Sequence, residues 1–259
     1  MNRLQVVTCS AFAGLLLATA SGVAQVSSDG MGKVLPVELY TCKYNQGQGR
    51  TDLDNVIARW SKFSDDHKVD DYAAWILTPF FYGPEQDFDV IWLGAYKDGN
   101  AMGAGLDNWI ANGSELQAAF DKVVDCDAHV AYASAMYKAP ADNATPESGY
   151  ITMMDCKLNE GQRYEAIQAA EVKWADHLTR SGSKAGYWHW MPMYGGGDAE
   201  FDYKVVFAYP SFKDIGTDFE QFANGGGRDV STETFGDIDE CDDARVYIID
   251  NIRSAQLRE

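Results

Sequence analysis

The heptapeptide C-K-Y-N-Q-G-Q at 42–48 returns as C-K-L-N-E-G-Q at 156–162, 114 residues later, with five of seven positions identical. Other landmarks recur in the same order. Trp60 and Trp174 share the 114-residue spacing, W-I-L-T-P (75–79) matches W-H-W-M-P (188–192), and F-D…A-Y at 88–96 matches F-D…A-Y at 201–209. A-N-G recurs at 111–113 and 223–225, and D-C-D (125–127) parallels E-C-D (240–242), so offsets stay between 112 and 115. A constant offset over so many landmarks means that one unit is built twice. Between the copies lies K-A-P-A-D-N-A-T-P-E-S-G (138–149), polar with two prolines, which reads as a linker. Repeat 1 is thus expected over 34–137 and repeat 2 over 150–253.

Each copy reads as strand, helix, strand, strand, helical pieces, strand. Residues 34–42 alternate enough for a strand, with Pro36 near its start. Thr51 and Asp54 suggest a capping box, and Leu53, Val56, Ile57, Trp60 and Phe63 follow helical spacing. Strands are expected at 72–82 and 87–97, helical pieces at 106–111 and 114–124, and a last strand at 129–137. The second copy predicts strands at 150–156, 186–194, 201–209 and 244–250, and helices at 163–179, 212–223 and 229–239. The central strands are apolar on nearly every residue, as in a sheet buried on both faces.

Residues 1–24 have one basic residue, Arg3, then an apolar stretch and small residues at Gly22 and Ala24. That is the layout of a secretory leader, too short in its apolar part to span a bilayer. A periplasmic or secreted protein, with no membrane association after leader removal, is the expectation. Four cysteines then remain: Cys42, Cys126, Cys156 and Cys241. An even number in an oxidising compartment favours disulfides, with three connectivities open. No closely spaced cysteine pair or spaced acidic loop is present, so no metal is expected. The net charge of −18 argues against nucleic acid and anionic lipid as partners.

The element order βαββαβ is the ferredoxin-like one. On that order, in both copies, the chain resembles the dimeric α/β-barrel superfamily, which includes the antibiotic-biosynthesis-monooxygenase-like proteins. It also resembles a group of exported bacterial proteins with the same duplicated cysteine segment. The superfamily likeness implies an α+β fold of two tandem ferredoxin-like repeats packed sheet to sheet as a pseudo-dimeric α/β barrel, hence a monomer with an internal pseudo-dimer. There the first and last strands of a unit are antiparallel neighbours. This implies the bridges Cys42–Cys126 and Cys156–Cys241.

Symmetric residues of the heptapeptide (Lys43, Asn45, Gly47 and Lys157, Asn159, Gly161) suit turn chemistry better than binding. Gly195–Gly197 reads as a hairpin and Gly225–Gly227 as a helix stop. Asp87, Asp89, Glu200 and Asp202 read as a solvated edge. Differences between the copies point towards function. The second copy has His177 for Phe63, His189 for Ile76 and Lys204 for Ile91. Unpartnered ionisable groups are costly to bury, so these three line a cavity, pair with acids or reach water. With Tyr187, Trp188, Trp190 and Tyr203 they suggest an aromatic-walled pocket in the second repeat with a base. The leading expectation is an exported binder of a small molecule. The alternatives are a cofactor-independent oxygenase using His177 or His189, a haem-binding protein, and a structural or interaction protein without a small-molecule site. No G-x-S-x-G or H-E-x-x-H motif is present.

Overall fold

The computed structural model describes residues 32–141, 148–197 and 200–255. The expected leader (1–24) and the centre of the expected linker (142–147) lie outside the described residues. The elements run β1 (Leu35–Tyr44), α1 (Arg50–Asp66), β2 (Tyr72–Phe81), β3 (Val90–Tyr96), α2 (Gly99–Asn112), α3 (Ser114–Phe120) and β4 (Val124–Lys138). They continue β5 (Ser148–Leu158), α4 (Tyr164–Arg180), β6 (Gly186–Tyr194), β7 (Tyr203–Tyr209), α5 (Phe212–Ala223), α6 (Gly227–Phe235), β8 (Asp239–Cys241) and β9 (Arg245–Arg253).

All strand pairs are antiparallel. The first half has the spatial order β4-β1-β3-β2 and the second β9-β5-β7-β6. The halves meet edge to edge at two seams, β2 with β9 and β4 with β6, which closes an eight-stranded barrel. The two sheets thus face each other as opposite walls of one continuous barrel. The three-residue β8 adds to β5 beside β9.

Pleating sends alternate residues inward and outward. Inside, Val37, Leu39, Trp75, Leu77, Ile91 and Leu93 of the first half meet Ile151, Met153, Trp190, Val206, Tyr247 and Ile249 of the second in one core. Outside, α1 lays Leu53, Val56, Ile57 and Trp60 onto the first half, and α4 lays Ile167, Ala170, Trp174 and Leu178 onto the second. Burial on both faces explains why β2 and β7 carry little polar alternation. No helix among the described residues is long and apolar enough to cross a membrane.

Several boundaries differ from expectation for local reasons. Helix α1 is capped by Gly49, whose N–H donates to Asp52 Oδ2 at 3.0 Å, so the box lies two residues before Thr51/Asp54. Helix α2 starts at Gly99, because the Asp98 carboxylate accepts from Ala101 N at 2.9 Å and organises a glycine-rich turn that reads as loop. Strand β4 starts at Val124, placing Cys126 inside it and opposite Cys42.

The heptapeptide is the turn from first strand to first helix. Gly47 and Gly161 have φ of 78° and 83°, which an L side chain rarely adopts. Asn45 N donates to Val123 O, and Asn159 N to Ile238 O, both at 2.9 Å. Asp89 and Asp202 are edge caps, accepting from Tyr44 N and Leu158 N at 2.8 Å.

Both bridges are those the family likeness implies, Cys42–Cys126 and Cys156–Cys241. Each joins residues in direct register, closing loops 84 and 85 residues apart. Peptide mapping without reductant will recover these two pairs, and a Cys42–Cys156 peptide would contradict the register. Replacing Cys42 and Cys126 together by Ser will lower the unfolding free energy by about 2–4 kcal/mol in denaturant titrations.

Candidate functional site

The seven residues singled out in the second repeat do not share one pocket. Tyr187, His189 and Tyr203 point outward, beneath α4. Trp188, Trp190 and Lys204 belong to the other face: Trp190 is in the barrel core, Trp188 packs against it, and Lys204 reaches the ring of Phe201, 4.1 Å from its centroid. The period-2 alternation of β6 and β7 splits neighbours in sequence onto opposite faces. His177 lies on α4, stacked on Trp174 at 4.9 Å and half-buried.

Lys204 and His189 each pair with an acid, whereas the His177 ring is held by stacking on Trp174. Lys204 pairs with Asp155, which also binds Arg245 at 3.2 Å. Burial lowers the Lys204 ammonium pKa, and Asp155 opposes that shift. His189 is fully enclosed, and its Nε2 donates to Glu171 Oε1 at 2.7 Å. Tyr187 donates to the other oxygen of Glu171, and burial, then the Glu171 charge, push its phenol pKa well up. Ring stacking completes the packing: His189 lies on Tyr203 at 4.6 Å and Tyr187 on Phe207 at 4.5 Å. The space between sheet and helices in the second half is therefore filled at these residues. An open trough farther along is lined by Lys138, Asp176, Thr179 and Lys184, and by none of the seven.

An aromatic cavity, partly open to the surface, lies in the first half, between the outer face of β1–β4 and helices α1, α2 and α3. It measures about 140 Å³, against the roughly 10–15 Å³ that one water needs. Tyr40, Trp60, Phe63, Tyr72, Trp92, Tyr96, Trp109 and Phe120 line it, together with Glu38 and Asn108. Neighbouring rings stand on edge to one another: Trp60 to Trp92 at 4.7 Å and 88°, Trp92 to Phe120 at 5.8 Å and 89°, Phe63 to Trp109 at 5.7 Å and 90°. At the strand wall Glu38, buried, accepts from Tyr72 Oη at 2.7 Å and Tyr96 Oη at 3.0 Å. Trp92 Nε1 donates to Tyr72 Oη at 2.8 Å. His129, 43% exposed and stacked on Tyr40, donates from Nε2 to the other Glu38 oxygen at 2.9 Å. Burial, then the charge of Glu38, raise the pKa values of Tyr72 and Tyr96, which stay protonated donors.

Register shows why one half is hollow and the other solid. Gly94 stands opposite Glu38 and Ala74; Phe207 stands opposite Thr152 and Tyr187 at the matching places. Val90 and Tyr203 correspond as partners of Cys42 and Cys156, and Ile76 and His189 as partners of Trp92 and Val205. So Val90 and Ile76 of the cavity wall become Tyr203 and His189, and Gly94 and Ala74 on the same sheet face become Phe207 and Tyr187. Gly94 also makes room for Tyr72: a Cβ there would meet the Tyr72 hydroxyl at 2.0 Å.

The offset comparison missed Glu171, although it replaces Ile57 at the same 114-residue spacing. It missed Glu38, Tyr72 and Trp92 too, whose counterparts are Thr152, Ala185 and Val205. Only ionisable groups gained by the second copy were sought, while the cavity is marked by those of the first.

No family model matches the sequence, and no curated protein matches it. Solved structures do. A candidate chlorite dismutase superposes with a TM-score of 0.53 at 9% identity, over 87% of this chain and 98% of its own. A haem-binding protein from Thermus thermophilus gives 0.51 at 10%, over 84% and 91%. An anthrone oxidase-like protein gives 0.52 at 9%, over 86% and 95%. At such identity the likeness is one of fold alone, an α+β barrel.

Replacing His189 alone by Ile leaves the buried Glu171 carboxylate with the Tyr187 hydroxyl but without its imidazole partner, and will cost about 3–5 kcal/mol in chemical denaturation. Replacing His189 and Glu171 together by Ile, the residues of the first copy, will recover most of that loss, a coupling that a double-mutant cycle reads directly. Gly94→Ala will displace Tyr72 from Glu38 and cost about 1–3 kcal/mol.

Proposed function

We propose that this protein binds a small, mainly apolar molecule in the cavity of its first half. The observation that carries this reading is the ring-walled space itself, with convergent polar groups at one wall, the usual make-up of a small-ligand site. The space is present in one half and filled in the other by four larger side chains at matching positions. Differences between halves that preserve the fold but change the void are what a site would leave behind. Export through the 1–24 leader, descent from a tandem duplication of a ferredoxin-like unit, and a monomeric state belong to the same proposal; the two disulfides and the matched strand orders support it.

Haem, which one structural neighbour binds, would find no histidine ligand in the first-half cavity. Among the described residues lining the first-half cavity there is no His, Lys or Met, and its Cys42 and Cys126 are joined to each other. In the second half His189 has Nε2 on Glu171, and its free Nδ1 is enclosed against packed rings. An oxygenase reading meets the same geometry. Its base would be Glu38, because neither His177 nor His189 lines the cavity.

Titration with tert-butylbenzene, followed by the indole N–H resonances of the tryptophans, tests the proposal. The signals of Trp60, Trp92 and Trp109 will move saturably, and those of Trp174, Trp188 and Trp190 will stay. Movement of the second set instead would place the site where the sequence pattern first suggested. Leu106→Trp adds ring volume from α2 into the cavity and will weaken binding at least tenfold, while the His189/Glu171 double replacement will leave it unchanged.

A further inference from the structure

The electrostatic make-up of the cavity restricts what it takes, and this step rests on the cavity being the ligand site. Its lining contains one formally charged side chain, the carboxylate of Glu38. Among the described lining residues none is Lys, Arg or His; His129 holds the far oxygen of Glu38 from a half-exposed position outside the wall. The aromatic rings add to the same sign. A π-face carries the negative end of the ring quadrupole, and Trp is the strongest of the three ring types in attracting a cation. Here three indoles and three phenols share a small space, and the edge-to-face angles of 88–90° among Trp60, Trp92, Phe120, Phe63 and Trp109 turn ring faces along more than one direction. A cation held there meets π-electron density from several sides.

An anion would meet a carboxylate and ring faces with no cation in the lining; Arg253, 6.0 Å from the Trp60 ring, is engaged by Asp65 and the Val69 carbonyl. Chlorite, the substrate class of one structural neighbour, is thus the wrong charge for this space. The protein as a whole, at −18, also concentrates cations near its surface and repels anions.

We infer that the first-half cavity is an aromatic cage for a small organic cation, of the quaternary or alkyl-ammonium class, with Glu38 as its counter-charge. The Tyr72 and Tyr96 hydroxyls hold the carboxylate in place and keep it desolvated but satisfied, so its field persists in the cavity without the carboxylate collapsing onto a neighbour. A quaternary member of this class needs no hydrogen bond from the wall, because its nitrogen has no N–H to satisfy. One buried donor in the lining is unpaired: Asn108 Nδ2, whose amide oxygen already accepts from Asn112 Nδ2 at 2.8 Å. It offers a site for an acceptor elsewhere on the ligand, such as an ester or ether oxygen.

Three probes of similar size and different charge decide the matter on the unmodified protein: phenyltrimethylammonium, its neutral isostere tert-butylbenzene, and benzoate. Affinities come from the indole N–H titration described above. Phenyltrimethylammonium will bind at least tenfold more tightly than tert-butylbenzene, and benzoate will bind most weakly of the three. Glu38→Gln, checked for folding by its amide spectrum, will reduce that preference severalfold, and Trp109→Leu on the loosely packed α2 will weaken the cation more than the neutral probe. If tert-butylbenzene binds as tightly as phenyltrimethylammonium, the cage is overturned while the cavity remains a site for apolar molecules. If benzoate binds best, the charge argument is reversed and fails. If none of the three shifts Trp60, Trp92 or Trp109, the cavity is not a site and both readings fall.

Discussion

Closure of the barrel depends on two seams, and one contact recurs at both. The last residue of β4, Lys138, crosses to the second half and donates to Ser183 O at 2.9 Å and Ala185 O at 2.6 Å. The last residue of β9, Arg253, crosses to the first half and donates to Val69 O at 2.7 Å. Val69 and Ser183 hold matching places, just after the first helix of each half. A long cationic side chain thus satisfies carbonyls left free where a helix ends and a strand begins, an orphan group that must be paired once buried. Four strand edges that would otherwise be open are joined pairwise beside these contacts, which removes the edges as templates for pairing with other chains. The core, the helix layers and the cavity all presuppose that closure.

Given closure, the interior is shared between the halves and leaves little freedom to vary one alone. The outer faces are different, because each is covered mainly by its own helices, with α4 reaching β4 and α1 reaching β9 only beside the seams. Variation has accumulated there. The exchange of Gly94 and Tyr72 for Phe207 and Ala185 moves bulk from one strand to its neighbour, while Ala74, Val90 and Ile76 give way to larger groups outright. A buried His–Glu–Tyr cluster then fills the second half and pairs all its charges, as burial at 0–1% exposure requires. The hollow half keeps a single carboxylate, held by phenols.

Much of this architecture was legible in the chain because the repeat tested every element twice. Strand limits mostly fell within a few residues, and the bridges are the ones implied by the family likeness, in which the first and last strands of a unit are neighbours. Helix α2 was read short because G-N-A-M-G-A-G has poor helix propensity, and the Asp98 cap overrides it. The site was harder. His189 and Lys204 did mark a change between the copies, but pleating put them on opposite faces, and acids from other elements, Glu171 on α4 and Asp155 on β5, neutralise them. A void leaves no residue in the sequence. It shows only as small side chains, such as Gly94 and Ala74, whose meaning depends on which strands lie opposite.

The disulfides divide the molecule in a further way. Each lies wholly within one half, so the chain consists of two covalent rings, 42–126 and 156–241, threaded together by the segment between them. No bridge crosses a seam. Covalently the halves are beads on a string, and only hydrogen bonds and side-chain packing make them one barrel. The connecting segment therefore sets the local concentration at which one ring meets the other. Shortening it would not unmake either ring, but it would leave each half to find its complement on a second chain.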